Sequence, residues 1–401
     1  MRKIVSLMLL LVLALGLAGC GGNQNANQGK SNNTPAQTGG VAGDYILIGS
    51  LQDISSSTAA WGKGVVNGAQ MAIDKINSEG GVLGKKLKLV NYDTKNDVNE
   101  AINAYNRLVN QDKVVTVMGP PTSNIGIALA PITEQKKVPI FGDFMDERAT
   151  TKNDGTPWKY MFLGEPSCSQ QAEISASYTV DKLQLKKIAI LYNQANAYAV
   201  SHVIPFTRYV EGHGGQIVAK EIFQNTDKDL KAQLTKIKNA NPDAIYVPNY
   251  LQENALVLNQ AKQLGINIPI IGNNSYFYPL IDLIDKSITD VYFLNNVTFD
   301  DQEVKKFLGE YKSKFNEDAP LHAFFGYDNI LVIAEAIKKA GKVDPEAVRS
   351  ALENIKDVKG YTGNISIDPA THRPLGLSMW IMKIDKGKYV SLEKYLPPAQ
   401  K

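Results

Sequence analysis

Cysteine and histidine are scarce in this chain, which has two cysteines and four histidines among its 401 residues. The histidines show no HExxH or other metal-binding spacing, and the sequence contains no Gly-x-Ser-x-Gly elbow and no P-loop. These absences argue against a secreted hydrolase, which is the competing class of function. We therefore expect a chain with no catalytic residue, no metal and no cofactor.

An excess of charge of one sign is also missing, since 43 Lys and Arg stand against 40 Asp and Glu. Removal of Arg2 and Lys3 with a leader would lower the formal net charge from +3 to +1. A nearly neutral protein has no electrostatic basis for binding nucleic acid. We therefore expect no nucleic-acid partner.

An apolar run over residues 4–17 follows two basic residues and ends in the sequence LAGC. The run is shorter than the roughly 20 residues of a membrane span and has the form of a secretory signal peptide. The LAGC sequence resembles the bacterial lipobox, which implies removal of residues 1–19 and lipid attachment at Cys20. We expect anchoring to the outer face of the cytoplasmic membrane, whether this is extracellular or periplasmic, with an uncleaved anchor as the alternative.

Residues 20–43 lack aromatic side chains and are rich in Asn, Gln and Gly. This composition cannot bury enough apolar surface to offset the entropy of ordering, so we expect a flexible tether. With Cys20 attached to lipid, Cys168 has no partner for a disulfide within the chain. We expect Cys168 to be buried as a small hydrophobic side chain, and a reactive thiol is the alternative.

After Gly43 the sequence alternates strand-like and helix-like segments, which predicts parallel sheets with helices on both faces. A second series of such segments begins near Gly164. The chain is also longer than the roughly 250 to 300 residues that one hydrophobic core supports. The sequence therefore predicts an α/β protein of two similar lobes, each a doubly wound and mostly parallel sheet.

One stretch, residues 114–131, predicts a ligand site. Its apolar start reads as a buried strand, Gly119-Pro120-Pro121 interrupts it, and a helical pattern begins at Ser123. The carboxyl end of a parallel strand and the free N–H groups of a first helical turn together bind small anions. The alternative is that Ser123 only caps the helix. The polar end of the next strand, residues 142–146, should lie beside this turn.

Several blocks of the sequence resemble type I solute-binding proteins of ABC transporters, in particular the branched-chain amino acid (Leu/Ile/Val) group. The blocks are WGKGVVNGAQMAIDKINSEGGVLGKKLKLVNYDT, TDKDLKAQLTKIKNANPDAIYV, AKQLGINIPIIG, FFGYDNILVIAEAIKKAG and YTGNISIDP. The resemblance covers residues 44–395. It implies two lobes that are joined by three hinge crossings and close on a small solute like a Venus flytrap. Lobe 1 would hold residues 44–165 and 296–372, and lobe 2 residues 166–295 and 373–401.

The resemblance also implies roles for individual residues. Ser123, with neighbouring amides such as that of Asn124, would grip a ligand carboxylate, and the backbone carbonyl of Phe144 would face an ammonium group. Trp61 would pack on the ligand side chain. Ordinary aromatic packing is the alternative for the rings. The implied ligand-binding residues are Ser123, Asn124, Trp61, Phe144, Asp146, Tyr198, Tyr250 and Asn274.

Two of these positions depart from the family pattern. Asp146 stands where the family commonly has a Thr or Ser that contacts the ammonium, and Asn274 stands where it commonly has a Glu. A zwitterion taken out of water needs its charge compensated, and Asp146 can supply the carboxylate. The alternative is that Asp146 points to solvent and that the solute is not an α-amino acid.

The predicted cleft is also rich in aromatic residues, including Tyr276 and Phe277, which favours an aromatic or smaller amino acid as much as Leu, Ile or Val. We expect a monomeric binding protein that delivers such a solute to the membrane subunits of an ABC permease. A binder of a non-amino-acid carboxylate or amide and a sensory ligand-binding protein are the alternatives.

Overall fold

A computed structural model of the protein describes residues 40–376 and 378–398. The predicted signal peptide, the lipidated Cys20 and the tether as far as residue 39 lie outside these residues. Within the described part of the chain, none of the helices combines the length and the apolar character that crossing a membrane requires.

Strands and helices alternate along the chain. The strands are β1 (Val41–Ala42), β2 (Tyr45–Gln52), β3 (Lys86–Asp93), β4 (Thr116–Met118), β5 (Ile140–Gly142), β6 (Met161–Leu163), β7 (Lys187–Asn193), β8 (Gln216–Phe223), β9 (Ala244–Tyr246), β10 (Ile270–Ile271), β11 (Val291–Asn295), β12 (Val358–Lys359), β13 (Asn364–Ile365), β14 (Ile367–Asp368), β15 (Arg373–Pro374), β16 (Met379–Asp385) and β17 (Lys388–Tyr395). The α-helices are α1 (Ala59–Ser78), α2 (Val98–Asn110), α3 (Ser123–Lys136), α4 (Cys168–Ser177), α5 (Ala197–Gly212), α6 (Lys231–Asn239), α7 (Leu251–Gln263), α8 (Leu280–Leu283), α9 (Gln302–Phe315), α10 (Leu321–Ala340) and α11 (Pro345–Leu352).

The first sheet has the order β3-β2-β4-β5-β6, and all of these strands are parallel. The short β1 pairs antiparallel with the start of β2, with Val41 opposite Ile46. Gly43 lies in the turn between them with a φ of +60°, a conformation that glycine adopts at little cost. The ordered body therefore begins before residue 43, where composition places the end of the tether.

The second sheet has the order β17-β16-β11-β10-β9-β7-β8. Strands β7 to β11 are parallel, and the hairpin of β16 and β17 adds two antiparallel strands at one edge. Alternate residues of β7 belong to two different cores, with Ala189 and Leu191 in one and Ile188 and Ile190 in the other. Since alternate side chains of a strand point to opposite faces, both faces of this sheet are covered. The predicted α/β architecture is confirmed.

Helices that follow the second parallel series return to the first sheet. The α9, α10 and α11 helices contribute Phe307, Ile333 and Val348 to the same core as β2 and β4. The contact of α10 with α1 is very close, because a Cβ atom on Gly68 would lie 1.8 Å from the carbonyl oxygen of Ala323. The chain thus passes between the sheets after β6, after β11 and between β15 and β16.

Candidate functional site

The turn after β4 has the form that the sequence predicts, with a different capping residue. Thr122 occupies the N-cap position of α3, no side chain caps this helix, and Ser123 is the first helical residue. The buried hydroxyl of Thr122 has no hydrogen-bond partner. The interpretation of Ser123 as a cap is therefore wrong, and its Oγ instead accepts a hydrogen bond of 3.2 Å from the backbone N–H of Asp146.

The segment after β5 lies against this turn, as the strand order requires. A Cβ atom on Gly142 would lie 2.7 Å from Cα of Gly119, so only glycine fits where the two strand ends meet. Phe144 is fully buried, and a Cβ on Gly126 of α3 would lie 2.4 Å from the Phe144 Cβ. This packing fixes the backbone of residues 143–146 beside the start of α3.

Tyr250 reaches the same helix end from the second lobe. The backbone N–H of Ser123 donates a hydrogen bond of 3.2 Å to the Tyr250 hydroxyl. Tyr250 is itself held at the start of α7, where its N–H donates to Oε2 of Glu253 at 2.9 Å. Burial raises the pKa of Tyr250, so the oxygen on the α3 amide is a neutral hydroxyl.

Asn124 forms a second link between the lobes. Its Nδ2 donates to the carbonyl of Ala195 at 3.3 Å, and its Oδ1 accepts from the N–H of Ala197 at 2.9 Å. Both partners lie at the beginning of α5. One amide side chain of the first lobe is therefore bonded at two points to the second lobe, which keeps the cleft closed.

A row of rings crosses the cleft. Trp61 is 3% exposed, stacks on His322 of α10 with centroids 4.6 Å apart, and meets Tyr250 edge-on at 5.0 Å. Tyr250 in turn stacks on Tyr198 of α5 at 5.2 Å. Burial lowers the pKa of His322 to about 3, so this end of the row is uncharged. The row offers an apolar wall with hydroxyl groups at its edge.

Asn274 lies in the second lobe beside Tyr198. The Tyr198 hydroxyl donates to Oδ1 of Asn274 at 2.7 Å, and Nδ2 of Asn274 lies 3.5 Å from Sδ of Met145 in the first lobe. Gln171 of α4 contacts the same sulfur at 3.0 Å. The position that commonly holds a family carboxylate is here a neutral amide, oriented by a tyrosine.

Asp146 is 1% exposed, so it does not point to solvent. Its carboxylate is held by Arg148, whose Nε lies 3.0 Å from Oδ1 and whose Nη2 lies 2.5 Å from Oδ2. The N–H of Arg148 also donates to Oδ1 at 2.9 Å. The charge of Asp146 is thus compensated within the protein, and the hydrogen bonds that Arg148 donates to Asp146 raise the pKa of Arg148.

Two other aromatic residues predicted for the cleft belong to hydrophobic cores, Tyr276 to a core of the second lobe and Phe277 to the core that contains β2 and β4. The Tyr276 hydroxyl donates to the carbonyl of Val247 at 2.8 Å, and its ring is fully buried. Phe277 stacks between Phe299 and Tyr389, with centroids 5.0 and 5.3 Å away. These rings build the core, so the number of aromatic residues near the cleft overstates its aromatic character.

A cavity of about 550 Å³ opens between the lobes, and the sequence-predicted ligand residues in its wall are Trp61, Asn124 and Tyr250. Its wall includes Thr122 and Asn124 of the first lobe and Asn196 of the second. Among the described residues, no group of three or more His, Cys, Asp and Glu is placed to hold a metal ion. Cys168 is buried as expected, and burial raises the pKa of its thiol.

The structure brings all eight sequence-predicted ligand residues into one region and adds others that the sequence analysis missed. These are Thr122, Met145, Arg148, Gln171 and His322. A signal existed for Arg148, since a buried carboxylate needs a compensating cation and an arginine stands two residues from Asp146. No local pattern marks His322 or Gln171, because their contacts depend on distant elements.

Comparison with known proteins assigns the chain to a family. A family model described as periplasmic binding protein matches residues 46–388. The Leu/Ile/Val-binding protein BraC3 of Rhizobium johnstonii is 28% identical over 357 residues, which span 87% of this chain and 94% of that protein.

Solved structures agree with this match. The branched-chain amino acid transporter substrate-binding protein LivJ of Streptococcus pneumoniae, in complex with isoleucine, is 32% identical, with a TM-score of 0.77 and coverage of 87% of this chain and 100% of that chain. The leucine-binding protein LivK of Thermotoga maritima is 26% identical, with a TM-score of 0.79 and coverage of 88% and 99%. The chain therefore belongs to the type I periplasmic binding protein family, whose members are extracytoplasmic solute-binding proteins of ABC transporters and not enzymes.

Proposed function

We propose that the protein is a lipid-anchored binding protein that captures a small hydrophobic amino acid between its lobes and delivers it to an ABC permease. The solute class is supported by relatives that are named for leucine, isoleucine and valine, and by the neighbour that holds isoleucine. The residues that we propose to contact the solute are Ser123, Asn124, Trp61, Phe144, Asp146, Tyr198, Tyr250 and Asn274.

The observation that carries the proposal is the contact of the Ser123 N–H with the Tyr250 hydroxyl across the closed cleft. The amide lies at the positive end of α3, a helix that no side chain caps. A carboxylate accepts a stronger hydrogen bond than a neutral phenol. An entering solute carboxylate therefore replaces the Tyr250 hydroxyl on this amide, and the row of rings packs on the solute side chain.

Transport follows from closure of the lobes. A solute that contacts Ser123 in one lobe and Tyr198 in the other touches both only when the cleft is shut. Its higher affinity for the closed state shifts the population toward that state, which is the form that the permease recognises.

The distribution of strands supports lobe boundaries near residues 44–165 with 296–372 and 166–295 with 373–401, although β15 (Arg373–Pro374) pairs with β14 and so shifts the last boundary past residue 374. Strands up to Leu163 lie in the first sheet, and those of residues 187–295 and 379–395 lie in the second. Anchoring through Cys20 and a monomeric state complete the proposal. Mass spectrometry of the membrane-extracted protein would detect the lipid on Cys20.

A carboxylate or amide without an ammonium group is the second candidate solute. It is favoured by the compensated charge of Asp146 and by the neutral amide of Asn274. Leucine and 4-methylpentanoate, which differ only in the ammonium group, separate the two candidates in a direct affinity comparison.

Calorimetry of the purified chain with leucine tests the carboxylate anchor. Ser123→Ala removes the hydroxyl that fixes the Asp146 N–H, and a loss of about 1 kcal/mol should weaken affinity by roughly fivefold. Ser350→Ala, at an exposed position of α11, is the matched control. Unchanged affinity in Ser123→Ala would show that the Ser123 hydroxyl does not support the anchor, since the variant keeps the backbone N–H that meets the carboxylate.

A further inference from the structure

The ion pair of Asp146 and Arg148 is asymmetric in its exposure. The side chain of Asp146 is 1% exposed, whereas that of Arg148 is 56% exposed. The Asp146 carboxylate is therefore fixed in the protein interior. The backbone N–H of Asp146 also donates a hydrogen bond of 3.2 Å to Ser123 Oγ. The guanidinium reaches it from the solvent side, so it can leave the carboxylate without opening the core.

Arg148 is the cation that pairs with Asp146, whereas the nearby Arg373 pairs with Glu147. Within the described part of the chain, Arg148 is the cation at ion-pair distance from Asp146. The neighbouring Glu147 accepts from the N–H of Ser169 at 3.0 Å and lies 3.7 Å from Arg373. His202 is fully buried and its pKa is lowered by burial to about 4, so it is neutral. The charge balance of Asp146 therefore depends on Arg148.

The backbone of Asp146 lies beside the amide that we propose to bind the solute carboxylate, since its N–H donates to Ser123 Oγ. In an α-amino acid the carboxylate and the ammonium are attached to the same carbon atom. A solute carboxylate on the Ser123 amide thus brings the ammonium toward the segment that holds Asp146, because Asp146 and Ser123 are directly hydrogen-bonded. The carboxylate of Asp146 has two oxygens, and both are already engaged by Arg148.

We propose that Arg148 is a specificity-determining residue that competes with the ammonium group of the solute for the carboxylate of Asp146. This inference rests on the proposed function. A zwitterionic solute displaces Arg148 toward solvent, and the loss of the Arg148–Asp146 ion pair lowers the affinity for that solute. A solute without an ammonium group leaves the pair intact. Arg148 thereby narrows the difference in affinity between amino acids and their deaminated analogues.

The test is calorimetry of the full chain at one pH with leucine and 4-methylpentanoate. Arg148→Gln removes the competitor, so leucine should bind about tenfold more tightly, as expected for a charge-assisted hydrogen bond freed from an internal partner. Affinity for 4-methylpentanoate should stay unchanged or fall, because Asp146 then faces the anion without compensation. Arg208→Gln removes the same charge from an exposed position of α5 and is the control.

A second variant separates an effect on binding from a folding defect. Arg148→Lys keeps the charge but loses the planar fork that binds both carboxylate oxygens, so it should give a smaller change in the same direction. Thermal unfolding of each variant reports whether it is folded. An unchanged ratio of the two affinities in folded Arg148→Gln overturns the inference and leaves the proposed function standing. If neither probe binds the parent chain or the variants, the proposed function fails and the inference with it.

Discussion

Buried carboxyl groups in the cleft and at the crossings between the lobes are neutralised in different ways. In the cleft, Asp146 has a guanidinium partner. At the crossings, Asp143 accepts from the Asn329 amide at 3.0 and 3.2 Å, Glu165 accepts from the Asn296 amide, and Asp328 accepts from residues 361 and 362. We call Asp143, Glu165, Asn296, Asp328 and Asn329 the crossing cluster.

The partners in the crossing cluster are amides and hydroxyls rather than cations. Burial raises the pKa of Asp143 to about 7 and that of Asp328 to about 6, and it raises the pKa of Glu165 well above its ordinary value. A cation keeps a buried carboxylate charged, whereas amides leave the neutralisation to a proton. The cleft thus balances its buried carboxylate with a cation, whereas burial at the crossings favours the protonated form of the carboxyl groups.

The largest expected effect concerns the pH dependence of stability. A carboxyl whose pKa is about 7 when folded and about 3.9 when unfolded contributes its stability below the unfolded pKa and loses it as pH rises through the folded pKa. From pH 5 to pH 7, Asp143 alone should lower the free energy of unfolding by roughly 2 to 3 kcal/mol. Asp143→Asn should remove this contribution to the pH dependence of the free energy of unfolding, which urea denaturation at several pH values measures.

The matched control for that slope is Asp154→Asn. Asp154 is exposed, and a hydrogen bond from Thr156 lowers its pKa, so it should not alter the slope between pH 5 and pH 7. A slope that is the same in Asp143→Asn as in the parent chain would show that the crossing cluster does not hold its protons in this range.

Asp146→Asn tests the other side of the comparison. It removes the charge that a solute ammonium would meet and frees Arg148, so leucine should bind about tenfold more weakly. The affinity for 4-methylpentanoate should stay the same or rise, because the freed guanidinium attracts an anion. Calorimetry with both solutes measures the two changes, and equal losses would show that Asp146 is not the counter-ion.

Asn124→Ala should have the smallest effect, because it breaks two neutral hydrogen bonds at the edge of the cleft. We expect a roughly threefold to tenfold loss of affinity that is equal for leucine and 4-methylpentanoate, since Asn124 stabilises closure rather than a charge. Stopped-flow dissociation should show the loss in the off-rate. A loss confined to one of the two solutes would assign Asn124 a direct contact instead.

Local patterns predicted much of the fold. The charged, amphipathic sequence of residues 302–315 predicts a helix with the bounds that α9 has, where Asp301 caps its start and a left-handed Asn316 ends it. The sequence VPIFGDF predicts a strand over residues 138–144, but β5 covers only Ile140–Gly142. The close approach of Gly142 to Gly119, which lies just past β4, is a tertiary contact that the local pattern does not predict.

The sequence by itself determined the α/β class, the repeat of two lobes and the position of the turn between β4 and α3, because periodicity, glycine turns and family blocks are local properties. Only the tertiary structure decided the charges of the site. Whether Asp146 faces a cation and whether Asp143 holds a proton depend on which groups are packed around each carboxylate in low dielectric. Arg148 stands two residues from Asp146, but Asn329, the partner of Asp143, comes from the distant α10, and no local pattern records its approach.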